Sequence, residues 1–255
     1  MLNKVVIFAD SLALAREGED DISYEATYPF LIEQHLRLQF ADRLPLILER
    51  GMRRRTIEYV LDEWFELVEL RRPNLVILHV GVVDCAPRIF LRRERHFVET
   101  MRWRGLRNFI LGFVNRHRAR IIRMRPRVYV SLDRFGSLIT EVVERAHSLR
   151  IPLVFVNIIE PPDELEQRSP GFCRNVKLYN NVLESKVNPP AVRVIDLNGL
   201  VAQRGKAECL TRDGIHLSRE GHKVLSHELE DLIAKEFNLR PAREEFAGVV
   251  HASSR

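Results

Sequence analysis

Short runs of apolar residues alternate along this chain with longer stretches in which apolar side chains return every three or four positions. The runs fall at residues 5–8 (VVIF), 44–48 (LPLIL), 75–80 (LVILHV), 153–156 (LVFV) and 192–195 (VRVI), with a shorter candidate at 128–130 (VYV). Rich in Val, Ile and Leu, they read as strands of a parallel sheet covered on both faces. The helical patterns lie between them. One runs over residues 29–38, with Pro29 in its first turn, and one over 56–68, where Thr56 caps Ile57, Val60, Leu61, Trp64, Phe65 and Val68. Others cover residues 106–118, 137–149, 176–187 and 218–237; the last keeps its period despite Gly221 in its first turn. The alternation predicts an α/β fold, a three-layer α/β/α sandwich around a central, mostly parallel five-stranded sheet. Periodicity is lost from about Leu239, so the chain reads as one domain over 1–237 and a C-terminal tail over 238–255. Residues 13–27, polar and acidic, and 85–104, rich in Arg, break the rhythm. Each leaves the carboxyl end of a strand, where open α/β sheets bind ligands, so both are expected to form substrate loops.

Composition narrows the classes. Of 255 residues, 45% are hydrophobic and 29% charged, which excludes a disordered chain. No apolar run approaches the length of a membrane span, and Asp10 interrupts the first one too early for a secretory signal. Three widely spaced cysteines, Cys85, Cys173 and Cys209, form neither a disulfide framework nor a zinc motif, and a cytoplasmic location is expected. His79, His96 and His222 stand in no ligand spacing and no Gly-rich phosphate loop occurs, so neither metal nor cofactor is expected. Lys and Arg number 40 against 35 acids, a net charge of +5. The arginines cluster at 50, 53, 54 and 55, at 88, 92, 93 and 95, and between 116 and 127. A solvated face paired with local acids accounts for such clusters, and the first two also point to an anionic substrate. Without aromatic rings interleaved for base stacking, no nucleic-acid partner is expected.

The candidate chemistry lies at two distant places. Ser11 follows the first strand, where a hydroxyl is exposed at the sheet's carboxyl edge as a nucleophile must be, though capping serines stand at such junctions too. Asp213 and His216 are three apart, ahead of the last helix. One loop can present both side chains to a point at which His216 accepts the proton of Ser11 and Asp213 holds its tautomer. A helix-capping loop with a satisfied histidine fits the same pair.

Taken in order, four blocks resemble the SGNH (GDSL) hydrolase superfamily over about residues 4–236. Ala9-Asp10-Ser11-Leu12 matches the GDS block, Gly51 the lone Gly after the second strand, Gly81-Val82-Val83-Asp84 the GxND block, and Asp213-Gly214-Ile215-His216 the DxxH block. Tyr179-Asn180-Asn181 resembles the family's approach to that last block. The resemblance implies an esterase-like or acyl-transfer enzyme with Ser11 as nucleophile, His216 as general base and Asp213 as orienting carboxylate. It also implies an oxyanion hole from the backbone N–H groups of Ser11 and Gly51. Two residues depart from the pattern: Ala9 replaces a Gly, and Val83 replaces the Asn whose side chain serves the oxyanion hole. A lost oxyanion donor costs about 10²–10³ in rate. Asn157, at the end of a strand, and Arg88 are the candidates to replace it or to bind substrate. Asp84 is expected to organise its loop through backbone hydrogen bonds, and Cys85 to pack. The expected partner is an ester of a small molecule or carbohydrate, such as an O-acetyl group. Transfer to a sugar hydroxyl, or a non-catalytic sugar- or anion-binding module, are the alternatives.

Overall fold

The computed structural model describes residues 3–16, 18, 20–40 and 45–239. Five strands form one sheet: β1 (Lys4–Ala9), β2 (Leu46–Gly51), β3 (Leu75–His79), β4 (Leu153–Val156) and β5 (Val192–Ile195). Their order is β2-β1-β3-β4-β5 and every pair is parallel. The helices are α1 (Tyr28–Phe40), α2 (Ile57–Trp64), α3 (Val82–Cys85), α4 (Arg92–Glu99), α5 (Arg104–Arg116), α6 (Arg118–Met124), α7 (Leu132–Leu149), α8 (Asp163–Arg168), α9 (Phe172–Glu184), α10 (Leu197–Arg204), α11 (Lys206–Cys209) and α12 (Arg219–Glu236).

Alternate residues of each strand enter opposite cores, which is why the strands read as apolar throughout. Val6, Phe8, Val76, Leu78 and Phe155 pack with Trp64, Phe135, Ile139 and Val176 of α2, α7 and α9. Val5, Ile7, Ile77, Val154 and Val156 pack with Ile32, Leu36, Val201, Leu225 and Ile233 of α1, α10 and α12. The predicted five-stranded parallel sheet between two helical layers is therefore present. From β1 the chain steps to β2 on one side and then to β3 on the other, and this reversal opens a crevice at the carboxyl ends. There Ala9 stands in register with both Gly51 and His79.

Several expectations are corrected. Residues 128–130 form no strand: β4 takes the place beside β3, and the segment lies instead against α3 and the loop after it, through Arg88 N–H to Arg127 O at 2.8 Å and Val130 N–H to Asp84 O at 3.4 Å. Residues 85–104, expected as a loop, contain α4. The helix expected over 56–68 ends at Trp64 and continues as a wider turn, Phe65–Glu69, closed by Leu70 N–H to Phe65 O at 2.9 Å. α7 begins at Leu132, ahead of the expected 137, because Ser131 caps it. Leu44, expected to open the second strand, lies outside the described residues, as does the expected tail from 240 onward. Around α5 the arginines do stand among exposed rings, those of Trp103, Phe109 and Phe113, so the ground given for excluding nucleic acid does not hold on that surface. No helix among the described residues is long and apolar enough to cross a membrane.

Candidate active site

β1 is fastened at its carboxyl end from both sides. Met52 N–H donates to Ala9 O at 3.1 Å, and Asp10 N–H donates to His79 O at 3.2 Å. Asp10 then caps a single 3₁₀ turn, Ser11–Ala13, its Oδ1 accepting the Leu12 N–H at 2.9 Å. The turn holds Ser11 at the sheet edge, with its own N–H at the head of the turn. Asp10 is fully buried and its Oδ2 has no partner among the described residues. Burial pushes its carboxyl up to about 7, against the Leu12 hydrogen bond.

The second half of the site is a closed loop before α12. Thr211 N–H donates to His216 O at 2.8 Å and Gly214 N–H to Thr211 O at 2.9 Å. Gly214 sits at φ +70, a conformation that costs glycine nothing. Asp213 organises the loop: its Oδ1 accepts from Thr211 Oγ1 at 2.9 Å, Ile215 N–H at 2.9 Å and His216 N–H at 3.0 Å. Its Oδ2 lies 2.6 Å from His216 Nδ1, and the Arg16 guanidinium stands 3.6 Å away. Burial pushes the Asp213 carboxyl up, but the His216 ring and the two backbone N–H groups outweigh it and hold the group well below the usual carboxylate range. An ionised Asp213 requires Nδ1 to be the protonated nitrogen, which leaves Nε2 as the acceptor. Ser11 Oγ lies 3.0 Å from that Nε2. The three side chains predicted to meet therefore form one hydrogen-bonded series.

Ser11 and His216 open onto a cavity of about 620 Å³ whose wall includes Val82, Val83 and Arg88. The other predicted residues divide. Val83 presents only methyl groups to the cavity, and its carbonyl accepts from Arg88 Nη2 at 3.1 Å. The Gly51 N–H, expected as an oxyanion donor, donates instead to the Glu49 carboxylate of the same strand, and Gly51 does not line the cavity. Asn157 is also elsewhere: its amide donates to Asp196 Oδ1 at 2.8 Å and its carbonyl accepts from Asn198, so both polar ends serve the β4–α10 junction. Asp84, expected to organise its own loop, takes the Ile57 N–H at 3.0 Å and so ties that loop to the start of α2. Burial pushes its carboxyl up to about 7. Cys85 is buried, and burial raises its thiol well above the ordinary value, which favours packing over reactivity.

Sequence reasoning missed two groups of residues. Arg16, Arg118, Tyr129, Ser169 and Phe172 also line the cavity. Beneath it, Tyr28 N–H donates to His222 Nδ1 at 3.1 Å and the Tyr28 hydroxyl lies 3.3 Å from His79 Nδ1. Burial pushes His79 down to about 3 and His222 down to about 4, so both are neutral struts joining β3, α1 and α12. Among the described residues no three His, Cys, Asp or Glu side chains are placed to hold a metal ion.

A parallel α/β sandwich with hydroxyl, imidazole and carboxylate in series at the edge of its first strand has the architecture of the serine-dependent hydrolytic enzymes. Within that class, the chain belongs to the GDSL-like lipase/acylhydrolase family, which matches residues 10–224. It is similar in structure to a lipase/acylhydrolase from Enterococcus faecalis, at 16% identity over 94% of this chain and 98% of that one, with a TM-score of 0.61. It is also similar to an α/β hydrolase enzyme from the metagenome of Lake Arreo, Spain, at 17% identity over 91% and 94% of the two chains, TM-score 0.60. A catalytic mutant of an acetylxylan esterase from Geobacillus stearothermophilus aligns at 14% identity over 93% and 95%, TM-score 0.57. At such identities the likeness is one of fold. No curated protein sequence matches the chain.

Proposed function

We propose that the chain is a serine acylhydrolase that cleaves an O-acyl ester, with an O-acetyl group on a carbohydrate or related small molecule as the substrate class. The observation that carries this reading is the hydrogen-bonded series: Ser11 Oγ to His216 Nε2 at 3.0 Å and His216 Nδ1 to Asp213 Oδ2 at 2.6 Å. Ser11 Oγ attacks the ester carbonyl while His216 Nε2 takes its proton. Asp213 stabilises the imidazolium and keeps its ring in place. Collapse of the tetrahedral intermediate expels the alcohol, which takes the proton back from Nε2, and leaves the acyl group on Ser11. Water, deprotonated by the same nitrogen, then releases the acid. Ser11 N–H at the head of its turn is the first oxyanion donor. Val83 stands where the family pattern has a donor side chain. The carbohydrate part draws on the fold shared with the acetylxylan esterase. A cytoplasmic location suits the three unpaired cysteines.

A second reading, a binding module on the same fold, draws on the two expected oxyanion donors that the cavity lacks, at Val83 and Gly51. Labelling with a fluorophosphonate separates the two. Labelling of the wild type that is abolished in Ser11→Ala, together with acetate release from an acetylated sugar, supports the hydrolase. A wild type that takes up no label and releases no acetate overturns it.

A further inference from the structure

Six of the side chains lining the cavity beside Ser11 are arginines, at 16, 53, 54, 88, 95 and 118, and no Asp or Glu is among the lining residues. Two of the six are paired within the chain: Arg16 with Asp20 and Asp213, and Arg95 with Glu99. Arg88 and Arg118 are different. Among the described residues the Arg88 guanidinium donates to the Val83 carbonyl, at 3.1 Å, and lies over the face of the Tyr129 ring, 4.5 Å from its centre, while its buried Nε has no hydrogen-bond partner there. Arg118 donates to the Ser169 hydroxyl at 2.9 Å and the Pro87 carbonyl at 3.3 Å. No carboxylate among the described residues pairs with either. Asp84 and Asp10, whose fields reach Arg88, are turned to the backbone N–H groups of Ile57 and Leu12.

Two half-buried guanidiniums resting on neutral partners carry a charge that no carboxylate among the described residues offsets, which favours an anion from outside. Burial lowers the affinity of both for their protons, and for Arg118 the nearby charge of Arg88 adds to it. Their hydrogen bonds to neutral carbonyl and hydroxyl groups fix both side chains at the cavity wall. That arrangement suits the planar fork of Arg to the two oxygens of an anion already waiting in place. Arg53 and Arg54, exposed at the rim, add a field that draws such a ligand in. A neutral ester can accept hydrogen bonds from this wall but leaves its charge uncompensated, which an anionic one does not.

We propose that Arg88 and Arg118 form an anion subsite beside Ser11, so that the ester this chain cleaves carries a phosphate or carboxylate group beyond its scissile bond. The inference rests on the acylhydrolase reading for the identity of the reaction, but not for the binding of the anion. The test therefore has two parts. Isothermal titration of inorganic phosphate into Ser11→Ala measures the subsite without turnover. One-to-one binding is expected, weakened about tenfold or more by Arg118→Gln and severalfold by Arg53→Ala, whose exposed side chain has no packing role to lose. Steady-state hydrolysis by the wild type is then compared for three acetate esters: of a neutral sugar, of a sugar phosphate and of a uronic acid. At least one anionic ester is expected to exceed the neutral one by about tenfold in kcat/KM, the preferred arm telling phosphate from carboxylate, and Arg118→Gln is expected to shrink that ratio. Equal kcat/KM for the three esters overturns the proposal while leaving the serine chemistry intact, whether or not phosphate binds. Absence of phosphate binding to Ser11→Ala overturns it as well. Failure of all three esters while phosphate still binds overturns the acylhydrolase reading and not the anion site.

Discussion

Glu49 holds the key to the rate of the proposed reaction. Its carboxylate accepts the Gly51 N–H, the group that the family pattern directs at a developing oxyanion. A hydrogen bond to a charged acceptor is worth about 1.5–3 kcal/mol, so the N–H is released in about one molecule in ten to one in a hundred. A single oxyanion donor contributes about 10²–10³ to kcat. Removing the competing acceptor with Glu49→Ala is therefore expected to raise kcat by about 10- to 100-fold. KM is expected to stay nearly unchanged, because full charge reaches the carbonyl oxygen only in the transition state. Glu49→Gln supplies the control. Its amide oxygen still accepts the N–H, through a neutral bond of about 0.5–1.5 kcal/mol, and the expected gain is only severalfold. The assay is steady-state release of p-nitrophenol from p-nitrophenyl acetate at constant pH and salt, with circular dichroism to show that the variants fold. A folded Glu49→Ala no faster than the wild type would refute the reasoning, because Gly51 would then contribute nothing even when free.

Two other outcomes are expected. Asp213→Asn keeps the loop's size but removes the ionised acceptor that fixes the tautomer of His216, and kcat should fall by about 10⁴; a loss below tenfold in the same assay excludes the series as the working unit. Asp84→Asn should stabilise the fold at alkaline pH. The wild-type carboxyl titrates at about 7 when folded and near 4 when unfolded, so the unfolded chain gives up its proton first and wild-type stability falls as pH rises between those values. At about 1.4 kcal/mol per pH unit the variant gains up to about 4 kcal/mol between acid and pH 8, of which about 2.5 kcal/mol falls in the interval read by urea unfolding at pH 5 and pH 8. The difference between the proteins is the readout, because buried His79 and His222 bend both curves the opposite way below pH 6.5. A difference that does not change with pH contradicts burial as the cause.

β1, β3 and β4 were legible because each is apolar on both faces, a pattern that few other elements share. Residues 128–130 carry the same composition, but the backbone at Val130 and at the adjoining Arg127 is engaged by Asp84 and Arg88, far upstream in the chain, a contact invisible in three residues. Ser11, Asp213 and His216 could be read because two of them share one short loop and the third follows a strand directly. Asn157 fails for a reason that spacing does not encode. It ends a strand at the correct edge, yet Asp196 and Asn198 at the head of α10 engage its amide. Gly51 ends the strand beside Ala9, but its N–H goes to Glu49 two positions before it, a matter of one side-chain rotamer that the spacing does not encode. Arg118 lies in a long basic stretch that reads as a solvated face. Ser169, just after α8, and the Pro87 carbonyl hold it at the cavity wall. Gly221 has no local rationale in the sequence, and its reason is tertiary: a Cβ there would stand 2.1 Å from the carbonyl oxygen of Cys209.

Ser11 and the base it meets, His216, are separated by 205 positions. While the nascent chain leaves the ribosome, the hydroxyl emerges early and remains an ordinary alcohol through most of translation. On the proposed mechanism it gains its base only when the last stretch, from Thr211 through α12, closes against α1. Assembly order itself thus keeps the unfinished polypeptide inert towards the acyl esters around it.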